Sequence, residues 1–219
     1  MKNLLLLACL CISTYSFSQW QIGSDIDGEA ANDLSGFSVS MADTNTVAIG
    51  APGNAVNGAN TGHVRVYERV GSSWVQKGID IDGTINDFFG FCVSMADANT
   101  MAIGAIGPNS NTGQVKIFEW NGSAWVQKGL DIDGEATGDR SGRSVSMPDS
   151  NTVAIGAWWN DGNGTESGHT RVYEWNGSAW IQKGIDIDGE ATGDRSGYSV
   201  RMPDANTLAI GAIRNGGNG

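Results

Sequence analysis

The stretch 125–180, WVQKGLDIDGEATGDRSGRSVSMPDSNTVAIGAWWNDGNGTESGHTRVYEWNGSAW, holds one copy of every element from which the rest of the chain is built. Taking the tryptophan of W-x-Q-K-G as the marker, units begin at Trp20, Trp74, Trp125 and Trp180, which are 54, 51 and 55 residues apart. The fourth unit stops after 40 residues. Each runs in the same order through the tryptophan segment, an acidic DIDGEATGD-like stretch, SGxSVSM, TVAIGA, GHVRVYE and NGSAW. Length differences fall between fixed glycines: Gly50 to Gly62 and Gly156 to Gly168 are 12 apart, Gly104 to Gly113 only 9. Insertions confined to such places imply loops on a shared scaffold.

Each unit offers four strands. Phe37-Ser38-Val39-Ser40-Met41 alternates apolar with small polar residues, and His63-Val64-Arg65-Val66-Tyr67-Glu68 alternates again. Thr46 to Ala51 mixes β-branched residues with Ala and Gly, as suits a crowded strand buried on both faces. Asn121-Gly122 between aromatic strand ends is a hairpin turn, and the short link Ala42-Asp43-Thr44-Asn45 is a tight turn between the first two strands. No window has helical periodicity. Four antiparallel strands per copy of about fifty residues predict an all-β fold of propeller blades, three complete and one partial. A β-sandwich fits less well because its strands do not repeat as units, and a solenoid because its turns are shorter.

Residues 1–18, MKNLLLLACLCISTYSFS, read as a signal peptide: Lys2, an apolar run from Leu4 to Ile12, and small Ser16 and Ser18 near a cleavage point. A lipoprotein-type reading at Cys9 has few apolar residues ahead of it. The run is too short to span a bilayer and nothing later approaches the required length, so residues 19–219 are expected to form the repeat domain without a membrane span. Removing Lys2 leaves 12 of the 13 basic residues against 24 acids, a net charge of −12. Such a surface repels nucleic acid and anionic lipid and suits a secreted or surface protein. Cys92 remains alone once Cys9 and Cys11 are removed, so the fold must rest on its core, with Cys92 as a small buried side chain.

The glycines and aromatics at the ends of the first two strands resemble the FG-GAP repeats of integrin α-subunit propellers and of many secreted bacterial proteins. The opening pair stands as Gly36-Phe37 and Phe89-Gly90-Phe91, weakening to Ser141-Gly142-Arg143 and Ser196-Gly197-Tyr198. The closing element stands as Gly50-Ala51-Pro52, Gly104-Ala105-Ile106, Gly156-Ala157-Trp158 and Gly211-Ala212-Ile213. The resemblance implies a β-propeller and a binding or adhesion role outside the cell. Calcium-binding loops of integrin-type repeats lie between the opening and closing elements; here that link is only Ala42 to Asn45 and its counterparts, too short to supply the ligands. The acids lie instead between the tryptophan segment and the next opening strand.

In two copies of that stretch, Asp131, Asp133, Glu135 and Asp139, and Asp186, Asp188, Glu190 and Asp194, form oxygen-rich sets that suit calcium. The alternative is that these acids cap turns while the isoleucine between them is buried. Both readings stand at this point. The second copy, Asp80-Ile81-Asp82-Gly83-Thr84 to Asp87, has lost the glutamate and one residue.

An active site needs a unique arrangement, whereas most polar residues here recur once per copy. His63 and His169 share the G-H-x-R-V-Y position, held by Gln114 in the second unit, and read as strand-end scaffold residues. There is no cysteine pair, nucleophile elbow or phosphate loop. Departures from the repeat are therefore the candidates for ligand binding: Trp158 and Trp159, where other copies have Pro52-Gly53, Ile106-Gly107 and Ile213-Arg214, and Phe88-Phe89. The reading is a secreted or surface-attached, non-enzymatic module for an extracellular protein or glycan. A propeller-based hydrolase or lyase, and a passive spacer or fragment of a larger protein, are its alternatives. Three full blades and a partial one leave two readings, a piece of a longer chain or an open arc whose exposed edges would favour self-association.

Overall fold

In the computed structural model residues 21–216 are described; the signal segment 1–18 and Trp20 lie outside them. The described chain is all-β. The first sheet contains β1 (Ser38–Met41), β2 (Thr46–Ala51), β3 (His63–Val70), β4 (Ser73–Gln76) and β5 (Ile81–Asp82). The second contains β6 (Phe89–Asp97), β7 (Thr100–Ala105), β8 (Gln114–Trp120), β9 (Trp125–Gln127) and β10 (Ile132–Asp133). The third contains β11 (Ser144–Asp149), β12 (Thr152–Ala157), β13 (His169–Trp175), β14 (Trp180–Gln182) and β15 (Ile187–Asp188). A two-stranded fourth sheet follows, β16 (Ser199–Asp204) and β17 (Thr207–Gly211).

Each complete sheet is an antiparallel meander in which the outermost position is broken in two. The tryptophan strand pairs with the far half of the third strand (Tyr173 opposite Gln182), and the Ile-Asp strand with its near half (Thr170 opposite Ile187). The blades are therefore out of phase with copies counted from tryptophan. Each blade starts at an opening strand and borrows the tryptophan segment and Ile-Asp of the next copy as its outer edge.

Opening strands lie innermost and side by side, β1 against β6, β6 against β11 and β11 against β16. The alternation read from sequence explains why. Val93 and Met95 point back into the preceding blade, and the core is built between sheets: one cluster joins Ala48, Val64, Val66 and Ile81 to Phe89, Met95 and Met101. The next joins Val115, Ile117 and Ile132 to Val145, Met147 and Val153. The serines of the same strand point forward and bond to the next blade. Met95, Met147 and Met202 donate their amide N–H to the Oγ of Ser40, Ser94 and Ser146 at 2.9, 3.0 and 2.9 Å. An inner strand is the edge of its own sheet, so these hydroxyls satisfy amides that the blade itself leaves unpaired.

On the outer side the W-x-Q-K-G segment links neighbouring blades. The Trp125 and Trp180 indole N–H groups donate to the carbonyls of Lys77 and Lys128, both at 2.9 Å. The lysine turns the other way: Lys128 Nζ donates to Ser150 O at 2.8 Å, capping the tight turn of the next blade, and lies 5.7 Å from the Trp180 ring centroid. The sheets form an arc that does not close among the described residues. On the first sheet, Val39 and Met41, equivalents of the buried Val93 and Met95, are uncovered. The one helical turn among the described residues, Pro108–Asn111, has positive φ at Asn109, Ser110 and Asn111 and is left-handed there.

Candidate functional site

Antiparallel register brings the head of the opening strand, the tail of the second, the head of the third and the Ile-Asp strand to one end of each blade. Ser38 opposes Gly50, Ala51 opposes His63, and His63 opposes Asp82. The residues at which the copies differ most gather at this end.

Near the axis, Phe37, Phe91, Arg143 and Tyr198 occupy equivalent positions at the heads of four opening strands. They form a continuous stack: Phe37 to Phe91 at 4.8 Å between centroids, Arg143 at 5.2 Å from Phe91 and 4.2 Å from Tyr198. Trp158 meets Tyr198 edge-on at 5.3 Å and Trp159 at 5.0 Å. Arg140 lies 4.0 Å over Trp159 and Arg195 5.0 Å over Trp158, with Arg195 Nε donating to Glu166 Oε2 at 2.9 Å. Both tryptophans are half-buried, and Trp159 is covered by Arg140 rather than standing free. Phe37, at 51 % exposure, is the most open member.

The second aromatic departure divides. Phe89 is 1 % exposed and packs edge-on against Phe118 at 6.2 Å. It belongs to the core between the first two blades, which corrects its placement among surface ligand contacts. Phe88 has a left-handed φ of 53° and lines an open cleft of about 740 Å³ together with Pro108, Asn109, Gln114, Lys116 and Asp131. The cleft exists where this blade has its shortened loop and has lost the glutamate.

The acidic stretch separates into two kinds of residue. Asp139 and Asp194 are 3 % and 5 % exposed and cap turns. Asp139 Oδ2 accepts from Ala136 N at 3.0 Å and Asn160 Nδ2 at 2.9 Å, and Asp194 Oδ2 accepts from Ala191 N at 2.9 Å. In both, Oδ2 caps the turn of its own loop. Ile132, between Asp131 and Asp133, is buried at 5 %. Glu190 is exposed and belongs to neither of the groups that follow.

Those groups are Glu29, His63 and Asp80 in the first blade and Glu135, His169 and Asp186 in the third. In each, the glutamate comes from the segment entering the blade, the histidine heads the third strand, and the aspartate precedes the Ile-Asp strand. Sequence reasoning set both histidines aside as hydrogen-bonded scaffold. Each is instead 1 % exposed with neither ring nitrogen hydrogen-bonded to any described residue. His169 Nδ1 lies 3.7 Å from Glu135 Oε2, 3.9 Å from Asp186 Oδ2 and 4.0 Å from Asp188 Oδ1. His63 Nδ1 is 3.7 Å from both Glu29 Oε2 and Asp80 Oδ2.

Burial, reinforced by Arg171, pushes the His169 pKa below its ordinary value against the pull of Asp186 and Glu135, so the imidazole is neutral at pH 7. The signal that reveals the set in the sequence is joint loss: the blade with Gln114 in place of histidine also has Thr84 in place of glutamate. There Lys116 Nζ stands 3.4 Å from Asp131 Oδ2. Asp133, two residues on from Asp131, accepts at its backbone carbonyl from Arg171 Nη2 at 2.9 Å.

No curated protein matches the chain. Residues 126–173 match a family model described as FG-GAP repeat, a span running from the tryptophan strand of the second blade to the third strand of the next. That match falls on one of the copies that the sheets repeat, and over this span the chain is similar to an FG-GAP repeat.

Proposed function

We propose that this protein is an exported, non-enzymatic binding module that holds an extracellular protein or glycan against the axial end of its arc. The observation carrying this reading is the stack from Phe37 through Phe91, Arg143 and Tyr198 to Trp158, assembled at positions where a scaffold role alone would have kept the repeat. Tryptophan, tyrosine and arginine are enriched among the residues that dominate binding energetics, and the aromatic rings bury large area with few rotors. Here the guanidinium groups hold the rings in place, so little ordering remains to be done on binding. A net negative surface argues against nucleic acid as the partner. No helix among the described residues is long and apolar enough to cross a membrane.

The test is an array of extracellular glycans and matrix proteins probed with the wild type and with Tyr198→Ala and Arg143→Ala. A partner retained by the wild type should be weakened at least about tenfold by either substitution, a loss typical of interface anchors, with the thermal midpoint nearly unchanged. Retained affinity in both variants would place the binding surface elsewhere, and turnover of an array member by the wild type would replace the reading with an enzymatic one.

A further inference from the structure

The two histidine–carboxylate groups share a geometry that turn-capping does not explain. In the third blade, Glu135 uses Oε1 to face Arg171 Nη1 at 3.4 Å, leaving Oε2 toward His169. Asp186 uses Oδ1 to accept from Gln182 Nε2 at 2.6 Å, leaving Oδ2 toward the same nitrogen. The first blade repeats this atom for atom: Glu29 Oε1 faces Arg65 Nη1 at 3.8 Å, Asp80 Oδ1 accepts from Gln76 Nε2 at 2.7 Å, and the remaining oxygens face His63. Each aspartate is thus held by a hydrogen bond, and each glutamate by an ion pair, on one oxygen, while the other oxygen faces a buried imidazole nitrogen that has no hydrogen-bond partner of its own. Outer donors orienting first-contact oxygens and nitrogens is the arrangement around a bound metal ion.

We propose that Glu29, His63 and Asp80, and Glu135, His169 and Asp186, are two equivalent sites for a divalent first-row transition cation of the zinc class. Imidazole nitrogen with carboxylate oxygen suits zinc and its neighbours, whereas calcium takes oxygen ligands throughout. All three donor atoms in each group lie within 4.8 Å of one another. Ligands about 2.1 Å from a tetrahedral ion stand roughly 3.4 Å apart, so a small contraction around His169 Nδ1 seats the ion. Three protein donors leave a fourth position to water. The ion would tie the segment entering a blade to that blade's third strand and outer edge. The second blade provides an internal contrast: Thr84 and Gln114 replace the glutamate and histidine, and Lys116, at the position of Arg65 and Arg171, pairs directly with the aspartate, Asp131. This set differs from the calcium reading of the sequence, which counted Asp139 and Asp194 and omitted both histidines.

The experiment is a calorimetric titration of chelator-treated, untagged protein with zinc and, separately, with calcium. Two equivalents of zinc are expected, with a thermal midpoint raised by about 5 °C or more at saturation. His63→Gln and His169→Gln, which copy the residue the scaffold already accepts at Gln114, should each reduce the stoichiometry to one, and the double variant to zero. Cobalt bound to the wild type should give the intense visible bands of a tetrahedral nitrogen–oxygen site, a readout that needs no variant to fold. Fewer than one equivalent of zinc in the wild type, unchanged stoichiometry in the double variant, or calcium binding as tight as zinc and indifferent to the histidines would each overturn the assignment.

Discussion

Gly156→Ala is expected to destabilise the protein by about 4 kcal/mol or more, among the largest effects of a single methyl group. A Cβ at Gly156 would stand 2.0 Å from the Gly197 carbonyl oxygen of the next blade and 2.5 Å from Ser144 Oγ. Neither neighbour can give way cheaply. The carbonyl is backbone, and the serine hydroxyl already donates to that oxygen at 2.9 Å. The closing and opening glycines of neighbouring blades therefore have one joint reason. The closing glycine lets the backbone of the next opening turn come into contact, and Gly197, at φ 78°, makes the turn that brings it there.

Gly211→Ala supplies the control. Its Cβ meets chiefly Ser199 Oγ at 2.4 Å, a hydroxyl free to rotate, so a change within about 1 kcal/mol is expected. Urea unfolding of both variants measures the difference. Equal effects would mean that the contact between blades does not govern the closing glycine.

Trp180→Ala should cost about 3 kcal/mol, because the ring packs against the core between the second and third blades and lies 5.5 Å from Trp175. Trp180→Phe separates packing from hydrogen bonding. It keeps an aromatic ring and removes the N–H that reaches Lys128 O at 2.9 Å, for an expected loss of about 1 kcal/mol. The neighbouring glycine is constrained by the same contact: a Cβ at Gly129 would lie 2.7 Å from Trp175 Cζ3 and 3.0 Å from Trp180 Cδ1. Denaturant titration of the two variants should order them alanine, phenylalanine, wild type. A phenylalanine variant as unstable as the alanine one would make the indole hydrogen bond, not the packing, the dominant link.

The blades were legible because their causes are local and repeated. Val39-Ser40-Met41 and its counterparts alternate with the pleat, and this alone assigns the apolar side chains to one neighbouring blade and the serines to the other. The phase of the sheets was harder to read, because pairing of Trp180 with Trp175 and of Ile187 with Thr170 is a tertiary choice that periodicity within a copy does not encode. The acidic stretch was half legible. Spacing alone could not separate Asp139, bonded to Ala136 N and Asn160 Nδ2, from Asp186, which sits one copy further along the chain and faces a histidine seventeen residues before it. The aromatic stack was visible at Trp158 and Trp159 but not at Arg143 or Tyr198, which looked like weakened copies of the opening phenylalanine until three blades were placed around one axis.

Amide hydrogen exchange followed by NMR at Met95, Met147 and Met202 tests the side-by-side arrangement of opening strands most directly, because each donates outside its own sheet to a serine of the preceding blade. All three amides should be protected like those in the middle of a sheet, and Ser94→Ala should lower protection at Met147 selectively. Exchange at the rate of the exposed Asn121-Gly122 hairpin, with no response to the serine substitution, would contradict blades packed about a common axis.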